Sequence, residues 1–142
     1  MTKLNVFLRS VVIAIIFSFT SSDALSYEFS FVIKERREVI FTEIHEIIQN
    51  YGFVIDERNL LSNRILKTLP VVVEDVACQL EVYLTFHNLN TYRLLLVFSF
   101  YKVTEEGFVT TNTANEEIWG LISALKYEIK RKFWREILYE YN

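Results

Sequence analysis

The two histidines and the single cysteine are the side chains of this sequence best suited to catalysis or metal binding. His45 lies in Glu43-Ile44-His45-Glu46. Helical ligands must sit three or four residues apart to share a face. Glu43 and Glu46 have that spacing, but His45 has it to neither. A zincin helix needs His-Glu-x-x-His, and the second ligand position is Gln49. The pattern is that of a solvated polar helix face. His87 ends an alternating segment beside a turn. A general base could sit there, yet no Ser or Asp is tied to it by a motif, so a solvent-facing role is expected. Cys78 shares the parity of Leu80 and Val82. A reactive thiol is exposed in an electropositive setting, whereas this parity predicts a small buried hydrophobe. No catalytic residue, metal site or cofactor is therefore assigned.

The remaining residues of interest could bind rather than react. Lys126, Lys130, Arg131, Lys132 and Arg135 form a basic cluster around Tyr127 and Trp134. Such a cluster suits anionic lipid or an acidic partner. The plainer account is a solvated helix face, with Glu128 and Glu136 within reach of Lys132, and it is preferred here. Trp119, Tyr127, Trp134, Leu138 and Tyr141 make a second, aromatic stripe beside the main apolar one. Either the sheet nearly engulfs this helix, which is the expected arrangement, or the aromatics reach a partner. Tyr and Trp are enriched at binding hot spots. Trp119, Tyr127, Lys130 and Trp134 are the candidate partner surface, for an envelope protein or an anionic membrane.

Periodicity supplies the elements that must position these residues. Tyr27 to Ile33 alternates as a first strand. Ile40, Ile44, Ile47, Ile48 and Tyr51 fall on one face of a helix over residues 35–50, with Gly52 where a left-handed cap is wanted. Residues 53–55 read as a short strand, 56–62 as a turn, and 64–69 as a strand ended by Pro70. Residues 78–86 alternate, with Cys78, Leu80, Val82, Leu84 and Phe86 facing one way. A polar connection at 88–91 joins them to a strand over 92–103, apolar on both faces and so expected to be central or covered on both sides. Residues 104–113 read as a loop. Asn115 is a candidate N-cap for a long helix over 116–139, whose main stripe is Ile118, Ile122, Leu125, Ile129, Phe133 and Ile137. The layer rule then predicts an α+β domain. It is a curved antiparallel sheet of four to five strands, with an N-terminal helix and a long C-terminal helix on one face.

The N-terminus carries an address. Lys3 and Arg9 precede an apolar run, Val11 to Phe19, broken only by Ser18. Ala24 and Ser26 are small residues at the positions a signal peptidase inspects. A spanning helix needs ~20 predominantly apolar residues, and Arg9 and Thr20 bound a shorter stretch. Residues 1–26 are thus expected to be a cleaved signal and 27–142 a single exported domain. A tether formed by uncleaved residues 4–20 is the alternative. Lipidation needs a cysteine at the cleavage point, and Cys78 stands far downstream.

Composition fits that assignment. The chain is 51% hydrophobic and 15% aromatic, with 3 Gly and 1 Pro, enough apolar mass for a core without staples. A single cysteine excludes an internal disulfide. The net charge of the chain is −3, which argues against nucleic acid as a partner. Oligomeric state has no signature in the sequence.

Tyr51-Gly52-Phe53-Val54-Ile55-Asp56, then Asn63-Arg64-Ile65-Leu66-Lys67-Thr68, then a hairpin and a terminal helix, resembles small bacterial envelope lipoprotein domains of the BamC-like helix-grip type. The similarity spans most of residues 30–140. It implies an accessory binding or assembly module in the periplasm or cell envelope. The competing class is a small periplasmic hydrolase whose site is assembled from scattered residues. A concave pocket holding His45 or His87 beside a carboxylate and a hydroxyl would favour it. Cleavage is expected after Ser26. Intact mass of the protein recovered from its native host checks this, and a mass retaining residues 1–26 contradicts it.

Overall fold

Strand β1, Ser26–Lys34, opens the fold and alternates as its sequence predicts, with Phe29, Phe31 and Ile33 buried on one face. The computed structural model describes residues 26–58 and 63–142. Ala24 therefore lies outside the described residues, while Ser26 pairs with Ser99 at the start of β1. Helix α1, Arg37–Asn50, buries Ile40, Ile44, Ile47 and Ile48. Gly52 ends it at φ +91°, a conformation that strains any residue with a Cβ, and its N–H reaches the Gln49 carbonyl at 3.0 Å.

Of the next three strands, two differ from the sequence pattern. Strand β2 is Ile55–Arg58, displaced from residues 53–55, because Phe53 turns into the core instead. Strand β3, Arg64–Thr68, occupies the expected place. Pro70 interrupts the sheet line without ending it. Val71–Val73 forms β4 beyond the proline, and both β3 and β4 pair with strand β5, Val76–Asn88. Thr68 bridges the interruption: its hydroxyl accepts from the Leu80 N–H at 3.0 Å, and its carbonyl accepts from the Gln79 side chain at 3.0 Å. A proline lacks the N–H a ladder needs, and these two bonds stand in for it.

Strands β5 and β6, Thr91–Thr104, form the longest pairing among the described residues, from Val76↔Lys102 to Asn88↔Thr91. Cys78, Leu80, Val82, Leu84, Leu94, Leu96, Phe98 and Phe100 face the same core. Phe86 keeps their parity but lies past the core's rim, 65% exposed. The segment expected as a loop contains β7, Gly107–Thr111, which folds back on β6 and buries Phe108 against Ala77 and Tyr101. That small cluster lies on the face opposite the helices. Strand β6 is central, between β5 and β1, as the sequence allowed, but Leu95 and Val97 are only half-buried on that face, so it is covered fully on one side alone.

Helix α2 is Glu116–Lys132, capped by Asn115, whose side-chain Oδ1 accepts from the Ile118 N–H at 2.9 Å. The same side chain donates to the Val73 carbonyl at 2.9 Å, which ties the helix start to β4. The expected helix to residue 139 stops seven residues early. The chain turns over Phe133–Glu136, and Ile137–Tyr141 becomes strand β8 along the free edge of β1. Ile-Leu-Tyr-Glu-Tyr is rich in strand formers. The β1 edge offers it a ladder that continued helix would leave unpaired.

The result is α+β, as expected, but with eight strands among the described residues rather than four to five. Their order is β2-β3-β5-β6-β1-β8, with β4 beside β5 and β7 beside β6, and every pairing is antiparallel. Both helices share one core with one sheet face. Ile129 is wholly buried in it. Ile129→Ala removes a large side chain from a close-packed site, at a cost of ~2–5 kcal/mol. Chemical denaturation should show a midpoint clearly below that of the parent protein. An unchanged midpoint would mean that α2 does not anchor the core.

Candidate functional site

The buried stripe of α2 determines what its other faces present. Ile118, Ile122, Leu125 and Ile129 point into the sheet. At 100° per residue, Trp119, Ser123, Lys126 and Lys130 fall on the flank facing β1 and β8, and Tyr127 lies nearer the side opposite the stripe. Trp134 follows in the turn after the helix. Together they line a groove of about 690 Å³ whose far wall is Tyr27 of β1 and Glu140 of β8.

The aromatics of the groove divide into two kinds. Trp119 is the anchored one, 37% exposed. Its ring meets Tyr27 edge-on at 5.1 Å between centroids and Phe100 at 5.4 Å. Tyr127 and Trp134 stand free, 67% and 68% exposed. Arg135 lies over the Trp134 ring at 5.0 Å, a cation–π contact. The sheet thus does not engulf α2, contrary to the expected arrangement. The second aromatic stripe splits between the groove and the β8 edge, where Leu138 and Tyr141 are about half exposed.

Charge in the groove is organised by Glu140. Its carboxylate accepts Lys130 at 3.0 Å and Lys126 at 3.4 Å. Lys126 also lies over the Phe29 ring at 5.2 Å and bonds Asn142. The hydrogen bond from Lys130, with Lys126 beside it, pulls the Glu140 carboxyl below its ordinary value. The other cations are arranged differently from the sequence expectation. Lys132 reaches across to Glu43 of α1 at 3.1 Å, and Glu128 takes Arg131 instead, at 3.0 Å to Nε. Three cations line the groove against the Glu140 carboxylate, with Glu128 countering Arg131 from beside it, a local charge of +1 in a chain of −3. Lys130, Arg131 and Lys132 also complement the negative end of the helix dipole.

The four residues named as a partner surface, Trp119, Tyr127, Lys130 and Trp134, therefore share one groove. Tyr27 and Glu140 escaped the sequence argument, because Tyr27 reaches the groove only through β1 packing beneath Trp119 and Glu140 only through β8 lying beside β1. A strand reading of residues 137–141 was the signal that would have found Glu140.

The histidines lie elsewhere. His45 Nε2 is 2.9 Å from Arg58 Nη1, and its ring stacks on Phe41. Desolvation, then the Arg58 charge, lowers its pKa and favours the neutral ring that can accept this bond. His87 is exposed near the β5–β6 turn. Neither lines the groove. Among the described residues no group of three or more His, Cys, Asp or Glu side chains is placed to hold a metal ion. No helix among them is long and apolar enough to cross a membrane.

Cys78 is fully buried, and burial pushes its thiol up to about 12. The thiolate is the reactive form, so native protein should label slowly with a thiol reagent and quickly in denaturant. Rapid native labelling would contradict the facing of β5.

No protein-family model matches the chain, and no curated protein matches it.

Proposed function

We propose that this is a small exported, non-enzymatic binding or assembly module of the bacterial cell envelope, and that the α2 groove is its binding site. The observation that carries the proposal is Trp134 together with Tyr127. Both are about two-thirds exposed at the mouth of a concave site, although the core already has its apolar stripe. Exposed aromatics rimmed by polar groups mark interaction surfaces. The groove volume lies within the ~300–1,000 Å³ usual for ligand sites. Its walls supply apolar area and its rim supplies charge, which is a binding chemistry. Export rests on Lys3, Arg9, the apolar run to Phe19 and the small residues Ala24 and Ser26. The envelope assignment rests on that signal and on the helix-grip resemblance.

Fractionation of the native host tests both parts. The parent protein is expected in the exported, envelope-associated fraction. A Trp134→Ala/Lys130→Ala double variant, folded by circular dichroism, is expected to be exported but to leave the envelope for the soluble exported fraction. Recovery of the parent protein from the cytoplasm overturns export. Envelope association unchanged in the double variant overturns the groove as the binding site.

A further inference from the structure

The groove joins three features on one surface: an anchored indole floor, two projecting aromatics and a cationic rim. Trp119 and Ile122 form the apolar floor, while Trp134 and Tyr127 project from the mouth. Lys130 and Arg131 flank the mouth, with their Nζ and guanidinium groups shared with single carboxylates. Aromatic rings with one apolar side and one polar edge sit at the headgroup level of a bilayer. Lysines and arginines beside them add attraction to anionic lipid. The local charge of +1, with Glu128 counted beside Arg131, within a chain of −3 gives the surface a sign opposite to that of the whole molecule. An anionic surface is therefore drawn to this face and repelled by the rest.

We propose that the groove docks the domain on a bilayer by taking an anionic phospholipid, the phosphate on Lys130 and Arg131 and the glycerol and upper chains against Trp119 and Ile122. This rests on the groove being the binding site. Glu140 is the antagonist within the site. It occupies the Lys130 ammonium at 3.0 Å in the free protein, so the phosphate must compete with it. Removing Glu140 and removing Lys130 break the same ion pair but change the lining charge in opposite directions. Damage to the fold would move binding the same way in both variants, whereas phosphate recognition moves it in opposite ways.

Both tryptophans of the chain line the groove, so tryptophan emission reports on this site alone. The protein as recovered from the exported fraction is titrated with vesicles of phosphatidylglycerol and phosphatidylcholine in equal parts, and with phosphatidylcholine alone. A blue shift and co-sedimentation are expected with the first and not the second. Each cation near an anionic surface contributes about 1 kcal/mol, or roughly fivefold in partitioning. Lys130→Ala should weaken partitioning by about that factor and Glu140→Gln should strengthen it by about that factor. Equal binding to both vesicle types, or a shift in the same direction for both variants, overturns the proposal. So does an equal emission shift with glycerol phosphate in solution, which would make a free anion the ligand. Loss of envelope association in the Trp134→Ala/Lys130→Ala variant without any vesicle binding would leave the groove as the binding site and assign it a protein partner instead.

Discussion

One face of the sheet carries nearly all the large apolar side chains, and two helices must cover it. Phe29, Phe31, Ile33, Leu80, Leu84, Leu94 and Phe98 are buried to within 1% on that face. An α-helix can press only one stripe against a sheet. In α2 that stripe is filled by Ile118, Ile122, Leu125 and Ile129 and is continued by Phe133. The covering requirement is thus met before the exposed aromatics are considered. Tyr127 lies near the opposite side of the helix and Trp134 lies beyond its end. Neither can be drawn into the core without rotating the stripe out of it.

The turn after Phe133 converts this surplus into a site. Had the helix continued, its aromatic side would stand open to solvent. Instead the chain reverses, the Lys34 N–H takes the Glu136 carbonyl at 2.8 Å, and β8 lies along β1. Glu140 pairs opposite Phe31, on the helix side of the sheet, and meets Lys126 and Lys130 there. A five-residue strand therefore supplies both a wall and the countercharge. The pairing also covers the β1 edge, an unpaired row of donors and acceptors that would otherwise invite association. The fold's answer to an open edge and the geometry of the groove are the same piece of chain.

The parts legible in the sequence were those where one force dominates. The periodicity of Ile40, Ile44, Ile47 and Ile48 placed α1, and the alternation from Cys78 to Leu84 placed β5, because burial on one face leaves a strict spacing. Asn115 was readable as a cap because its role is local. The misplaced elements depend on partners distant in sequence. Val71–Val73 looked cut off by Pro70, since the bonds from Leu80 and Gln79 to Thr68 that bridge the gap are tertiary. Gly107–Thr111 has too few apolar residues to announce itself, and its buried side is held by Phe108 against Ala77 and Tyr101 of other strands. Ile137 fits the helical spacing from Phe133 as well as it fits a strand, and pairing with β1 decided between them. The site was legible to the same extent. Its helical members could be named from one face of α2, while Tyr27 and Glu140 required the tertiary fold.

The central claim is that the two projecting groove aromatics, Tyr127 and Trp134, are surplus to folding. Trp134→Ala measured beside Ile129→Ala in equilibrium denaturation tests it most directly. Surface substitutions away from core, caps and networks stay within about ±0.5 kcal/mol. A Trp134→Ala stability inside that range, with Ile129→Ala well below the parent, is the result predicted. A loss at Trp134 as large as that at Ile129 would make the indole part of the core and contradict the account.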